Sequence, residues 1–593
     1  MAEAEDLISI RVDEIPLVYS IIQELGISGA INGSKEVHGN WVGTNIGDLI
    51  ELWLCYILSE CDHRISSVED WSSCRIELLR AMSGLEGVSS YDFSDDKLGL
   101  LLDYIGEDAM WQNVEKQINE KSLSIYRFEE IESMATFRLD AAPMQSHGRV
   151  EEGGLLQYGY SKHHADLPQF KLKLCTLDNE LNHFAYPVTH LTVSGELSDD
   201  VLYEQILNQS KGVLSGIKGY ETGNLYVGDN KFGSIRNRAS VVNQSDYYLL
   251  PLSLVQLGQK EREEMIKQTP QSDYTAVELI EENKETVLIA EGFEKSESLD
   301  YQLDGSCIAW SERRLYVHSH AYANSSKKAL DRRISAAIES ITQLTERKQG
   351  KKVLHKEQEY QQAIDKILKD KELEDFLTVK IETKVLEKVI KAWGKRPERT
   401  DIELKFDIDV TKNEAAIEAH KLLLGWQVYA TNAPLECLPY EKCVWKYRYQ
   451  SNIESRFDDI RNKMAPLLPV FLQKDQRIKG LVNLLLLALK VCSVLEYKIA
   501  KALSEQKEEL QQIYEGNPTR GSKRPSAKRL FLAFQGVSIA LVFLDYKLKF
   551  ALMTKLEPVQ LKILKLLNIK PTVYENLAKN IQIFFSDNNI TET

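Results

Sequence analysis

The spacing of apolar residues changes character several times along the chain. Over residues 1–130 it is helical: Leu17, Ile21 and Leu25 recur every four positions, and the largely apolar run from Leu49 to Leu58 reads as a buried helix. Gly39-Asn40-Trp41 and Ser89-Ser90-Tyr91-Asp92 read as connections. From Met134 the period drops to two. Thr136-Phe137-Arg138-Leu139-Asp140 alternates apolar and polar residues and is expected to stop at Ala141-Ala142-Pro143. Residues 170–176 and 184–193 predict two more strands, separated by a turn at Asp178-Asn179-Glu180. A helix over 199–214, a short strand Leu225-Tyr226-Val227-Gly228 and a fifth strand over 247–252 follow. This order predicts an α/β fold, a mixed sheet covered by helices.

Residues 253–443 differ. Ile402, Leu404, Phe406, Ile408 and Val410 alternate strictly with charged residues, the pattern of a half-buried strand. Leu330, Ile334, Ile338 and Ile341 mark an amphipathic helix, and the charged stretch 351–375 a second one. Gly350 breaks the pattern, which excludes a long coiled coil. We read 253–443 as an inserted domain of strands plus a helical hairpin. It separates a first core segment, 131–252, from a second, 444–504, with helical regions at 1–130 and 505–593. The apolar stretches from Gly480 to Leu489 and Leu530 to Leu544 are cut short by Lys490 and Asp545, below the roughly twenty residues that a membrane span needs. No membrane association is expected.

Composition adds bounds. The 593 residues, at roughly 150 per domain, correspond to about four domains. With 43% hydrophobic and 27% charged residues, collagen-like and wholly disordered classes are excluded. Eight cysteines without regular spacing fit a reducing compartment. The start MAEAEDLISI has neither a basic nor a long apolar region, so a cytoplasmic protein is expected. The net charge of −15 is unevenly spread: residues 1–150 hold 11 Lys and Arg against 27 Asp and Glu, whereas residues 441–593 hold 25 against 15. Phosphate binding depends on local basic surface rather than on the total, so nucleic acid remains open.

The segment 447–461 carries the most chemistry. Ile453, Phe457, Ile460 and Met464 form one buried stripe of a helix. On a continuous helix, Tyr447, Gln450, Glu454 and Arg461 share a face about 100° away. One carboxylate is then flanked by hydrogen-bond donors and a cation, which suits a metal ligand beside a phosphate backbone; taken alone, a surface charge pattern is the commoner reading. Asp140 and Asp229 each close a predicted short strand, where a carboxylate can be held rigidly, although turn and cap residues also sit there. Exchange at a phosphodiester uses two Mg²⁺ about 4 Å apart, flanked by hard oxygen ligands.

These residues resemble those of a DDE transposase of a bacterial insertion sequence, in the group whose RNase H-like core is split by an insertion. Its third-carboxylate helix carries Tyr, two residues, Arg, three residues, Glu, six residues, Lys. Here Tyr447 and Glu454 match, Gln450 replaces Arg, and Arg461 replaces Lys. The likeness extends to His38-Gly39-Asn40-Trp41, the stretch 56–64, Asp92-Phe93-Ser94-Asp95-Asp96, Arg138-Leu139-Asp140, Gly159-Tyr160-Ser161-Lys162, Val227-Gly228-Asp229, the stretch 425–432 and Gly516-Asn517-Pro518. It is weakest in 255–400.

The resemblance implies that Asp140, Asp229 and Glu454 are a catalytic, metal-binding triad for two Mg²⁺ (or Mn²⁺). It implies in-line phosphoryl transfer that cuts double-stranded DNA at the inverted-repeat ends of a mobile element and joins them to target DNA. It further implies a homodimer joining two ends, in a cytoplasmic, nucleoid-associated protein. Tyr447, Arg448, Gln450, Arg461 and Lys162 become candidate DNA contacts, as do Arg520, Lys523, Arg524, Lys528 and Arg529 in the basic loop. The alternatives are a silent or domesticated end-binding relative and an RNase H-like nuclease without strand transfer. His318 and His320 lie on one face of a predicted strand without zinc-spaced partners and read as ordinary strand surface, and Cys437 with Cys443 is not expected to form a metal site. The stretch 556–578 fits a helix-turn-helix or ordinary core packing.

Overall fold

The computed structural model describes residues 5–34, 41–126, 134–159, 166–179, 181, 183–280, 286–346, 354–390, 399–544 and 547–588. Of the residues singled out above, His38, Gly39, Asn40, Tyr160, Ser161, Lys162, Glu180, Gly350 and Asp545 lie outside them. The chain divides into two units: Met1–Pro251 with Ser298–Glu312 and Thr431–Thr593, and Leu252–Glu297 with Arg313–Ala430.

The first unit opens with strand β1 (Glu5–Arg11) and helices that include α1 (Ile15–Leu25), α2 (Ile46–Glu60), α3 (Asp95–Ile105) and α4 (Asp108–Tyr126). Leu49, Ile50, Leu52, Trp53, Leu54 and Tyr56 are all buried, with Glu51 among them, so α2 is enclosed on most sides within a core. The sheet follows: β2 (Thr136–Gln145), β3 (Gln169–Leu177), β4 (Tyr186–Ser194), α5 (Asp199–Leu214), β5 (Leu225–Val227), α6 (Ile235–Asn243) and β6 (Tyr247–Pro251). Its order is β4-β3-β2-β5-β6. The first three strands are antiparallel neighbours, whereas β5 runs parallel to β2 and β6 parallel to β5.

Strand β2 does not stop at Ala141-Ala142-Pro143, as expected from the proline, but runs to Gln145. Its parallel pairing with β5 ends at Arg138, leaving that side open beyond it. The Ala141 amide turns away from the ladder and donates to the Asp140 carboxylate at 2.8 Å. Pro143, two residues on, faces the same open side, where a missing N–H leaves no partner unpaired.

In the second unit, β7 (Thr275–Ile280), β8 (Thr286–Leu303), β9 (Ser306–Ser319), α7 (His320–Thr342), α8 (Glu357–Asp370), β10 (Leu377–Ile390), β11 (Arg399–Lys412) and β12 (Trp426–Thr431) follow one another. Four strands run in the order β12-β9-β8-β7, and β10 with β11 makes a separate antiparallel ribbon. Leu330, Ile334, Ile341, Ile364, Leu368 and Leu377 pack the helical hairpin onto one end of that ribbon. At its other end Ile402 and Leu404 are exposed, so the half-buried alternation holds only for Phe406, Ile408 and Val410. The β8–β9 tip, 298–312, groups with the first unit. There Glu312 is fully buried, accepting from the Tyr248 hydroxyl at 2.6 Å and pairing with Arg238.

The first unit resumes with α9 (Tyr440–Arg448), α10 (Ser451–Asn462), α11 (Asp475–Gln506), β13 (Ser538–Leu544) and β14 (Lys547–Met553). By length and composition α11 could cross a membrane, but its apolar window is 94% buried within the chain. The two end regions are not wholly helical. β1, β13 and β14 form an antiparallel sheet in the order β1-β13-β14. The apolar run ending at Leu544 is part helix and part strand: Ile539 and Leu541 alternate inward within a β-branched and aromatic stretch.

Candidate active site

Asp140 lies on β2, and Asp229 lies just past the end of the adjacent parallel strand β5. β2 and β5 are last paired at Arg138 and Val227, and each aspartate lies two residues further on. Neighbouring strands are about 4.8 Å apart, so the pairing starts both residues from adjacent positions, and the turn after β5 sets where the Asp229 carboxylate ends. Asp140 is therefore inside a long strand and not at its end as expected; it is β5, not β2, that stops short. The turn after β5 is tight: a Cβ on Gly228 would lie 2.7 Å from the Phe232 ring. Asp229 Oδ1 accepts from the backbone amides of Lys231 at 3.0 Å and Phe232 at 3.3 Å, and from the Tyr203 hydroxyl. The Tyr203 ring stacks on Phe232, and the buried Lys173 ammonium lies over the same ring.

Glu454 comes from the first turn of α10. The single helix expected over 447–461 is broken at Tyr449 and Gln450. The amides of Gln450 and Asn452 reach back three residues, to Tyr447 at 3.2 Å and Tyr449 at 2.9 Å. The face shared by Tyr447 and Glu454 is thus made by a turn between two helices, rather than by 3.6-residue counting.

What docks this corner is Arg138, on the same face of β2 as Asp140 and fully buried. Its Nε and Nη2 donate to Asp178 at 2.9 and 2.7 Å, and Nη2 also donates to the Lys446 carbonyl at 2.7 Å. Nη1 reaches Gln450 Oε1 at 3.5 Å, and Asn452 Nδ2 donates to Asp178 at 3.3 Å. The end of α9 and the start of α10 are thereby fastened to the strand that carries Asp140.

The electrostatics agree with this geometry. The Asp140 carboxyl is pushed up to about 6, first by burial; the Ala141 amide opposes the rise, the charge of Asp229 adds to it, Lys173 opposes it and Glu454 adds to it. The Tyr447 hydroxyl is pushed up to about 12 by burial and then by Asp229, Asp140 and Glu454, with Arg138 opposing. Three carboxylates and one phenol therefore act on one another. Asp140 and Asp229 are half-buried and Glu454 is exposed, which leaves the cluster open on one side. Carboxylate oxygens are hard donors of the kind that could hold a divalent cation.

The other candidates are distributed differently. Gln450 is engaged with Arg138. Arg448 is exposed, 5.8 Å from the Trp445 ring, and Arg461 lies 5.9 Å from the Phe457 ring. Arg520 and Arg529 cover the Tyr514 ring at 4.2 and 4.8 Å, and Lys523 pairs with Glu509 at 3.8 Å. Arg524 and Lys528 are exposed. Arg138, Asp178, Tyr203 and Lys173 escaped the sequence reading. A charge inside the apolar strand stretch 136–139 was the available signal for Arg138; Tyr203 sits on an ordinary amphipathic helix and gave none.

The fold is a mixed α/β one, in which Asp140 comes from the sheet, Asp229 from the turn after β5 and Glu454 from a helix. No protein-family model matches the chain, and no curated protein matches it. Among solved structures it is similar to the piggyBac transposase synaptic complex with hairpin DNA, at a TM-score of 0.34 and 10% identity, over 98% of this chain and 88% of that one. At that level the likeness carries no inference about chemistry.

Proposed function

We propose that the chain is a DNA transposase of the DDE type, acting on the double-stranded ends of a mobile element by metal-dependent phosphoryl transfer. The observation that carries this is the mutual electrostatic influence of Asp140 on β2, Asp229 in the turn after the adjacent β5, and Glu454 on a docked helix. The order β4-β3-β2-β5-β6, three antiparallel strands followed by two parallel ones, supports an RNase H-like core. The intervening second unit corresponds to the insertion that splits such cores in the insertion-sequence group.

Asp140 on the sheet, Asp229 in the turn after β5 and Glu454 on α10 would hold two Mg²⁺ or Mn²⁺ ions. Ions bound there supply Lewis acidity toward the attacking and leaving oxygens of an in-line displacement. The chain's own groups do the rest. Arg138 sets the height of α10 against β2, Tyr203 donates to Asp229 with Lys173 over its ring, and Tyr447 borders the carboxylates. No side chain is needed as nucleophile, because water and then the freed 3′-hydroxyl play that part. A dimer would bring two ends together.

The test uses a duplex containing the inverted repeats that flank the gene. Asp140→Ala, Asp229→Ala and Glu454→Ala should each abolish Mg²⁺-dependent cleavage and strand transfer while leaving end binding within about threefold. Cleavage retained in any one variant removes that residue from the triad. Cleavage without strand transfer in the unaltered chain would make it a nuclease.

A further inference from the structure

The second unit gathers two histidines and a glutamate that the carboxylate cluster does not use. β8 and β9 are joined by a two-residue turn, Asp304-Gly305, with both residues at positive φ. Counting back from it brings Glu291 of β8 across from His318 near the end of β9. His320, two residues later, opens α7. Strand pairing thus supplies the third ligand that sequence spacing around His318 and His320 lacked.

The three side chains are half-buried, and their candidate ligand atoms lie within 4.8 Å of one another. The imidazole rings of His318 and His320 are 5.3 Å apart, edge to face. His318 Nε2 lies 3.2 Å from the Leu424 carbonyl oxygen. A carbonyl can only accept, so Nε2 carries the proton and the Nδ1 lone pair faces Glu291, whose Oε1 is 3.9 Å away. A backbone carbonyl that fixes the tautomer of a ligating histidine is the usual outer support of a metal site. His320 Nε2 is buried without a hydrogen-bond partner among the described residues, a cost that an ion would remove. The Trp426 ring, 5.1 Å from His318, closes one side.

We propose that Glu291, His318 and His320 form a binding site for a first-row transition cation, Zn²⁺ foremost. Two imidazoles and one carboxylate are the donors that Zn²⁺ takes, whereas Mg²⁺ prefers oxygen alone. Bonds of about 2.0–2.1 Å in a tetrahedron hold ligand atoms about 3.4 Å apart, so binding draws the three groups inward by roughly 1 Å. The fourth position stays open to water. Such an ion ties β8, the end of β9 and the start of α7 to one point, at the root of the helical hairpin. This site is independent of the proposed transposase chemistry.

The experiment uses the full chain carrying Asp140→Asn, Asp229→Asn and Glu454→Gln, so that the carboxylate cluster cannot take the ion. After chelator treatment it is titrated calorimetrically with ZnCl₂, and with Co²⁺ followed by visible absorption. One equivalent should bind, Co²⁺ should give the intense bands of a tetrahedral site, and the melting temperature should rise with Zn²⁺. His318→Asn and His320→Asn should each weaken binding at least tenfold. Glu291→Gln, which keeps shape and removes charge, should do so too; circular dichroism of the metal-free variants checks that each is folded. A parent chain that binds no Zn²⁺, or folded variants that bind it as tightly as the parent, would overturn the proposal.

Discussion

Arg138 shows how one side chain can matter to a site without touching its chemistry. Its guanidinium is buried against Asp178 and holds a backbone carbonyl of α9. Removing one partner of such a pair leaves an uncompensated buried charge, at a cost of about 3–5 kcal/mol. Asp178→Ala is therefore expected to lose that much in denaturant unfolding. The double variant Arg138→Met with Asp178→Leu should recover most of the stability, because an apolar pair carries no desolvation penalty. It should still fail in cleavage, since nothing would then fasten Lys446 and Gln450 to β2. Recovery of both would show that the pair is structural only. At this scale the sequence was partly legible. Asp140, Asp229 and Glu454 could be named from a motif, but the residues that hold them are recognised by contacts between positions 40 to about 310 apart in the chain.

The elements were easier to read where burial is one-sided. β3, β4, α5, β5 and β6 fall within a few residues of their expected bounds, because alternation and helical spacing report a single core face. The reading erred where tertiary context overrides local preference. β2 passes through Pro143 because its neighbour has ended, and α9 and α10 break at residues with no obvious breaker. Helix α11 gives a further case. Lys490 cuts its apolar run, yet the lysine is fully buried, donating to Asn119 Oδ1 at 2.8 Å and to the Val188 carbonyl at 2.9 Å. Burial holds its ammonium down to about 8, with Glu115 opposing. Between that value and the ordinary lysine value near 10.4, the unfolded chain binds more protons than the folded one, so stability contributed by this residue rises with pH. Relative to Lys490→Met, the unaltered chain should gain about 2–3 kcal/mol between pH 8 and pH 10, measured as the difference in unfolding free energy. A gap that stays constant would mean that the ammonium is not desolvated.

For the molecule as a whole, charge is the property that composition hides. The chain is acidic overall, while its last 153 residues carry a net positive charge and expose Arg520, Lys523, Arg524 and Lys528. Each phosphate contact contributes about 0.9 to the slope of log affinity against log salt. Arg520→Ala with Arg524→Ala should weaken end binding and reduce that slope by about 1–2; an unchanged slope would mean that the loop does not meet the backbone of DNA. The α/β class and the intervening strand-and-hairpin segment were legible from order and period. The sheet uniting the two end regions was not, because no local pattern says which distant strand an edge will choose. That sheet has a cost in time. Arg11 ends β1 and Ser538, its partner in the register, begins β13, 527 residues later. At about 5–20 residues per second, a nascent β1 waits roughly half a minute to two minutes for its partner to leave the ribosome. Throughout that interval Leu7 and Ile8 offer an unpaired edge, the kind that templates wrong pairings, until β13 closes it.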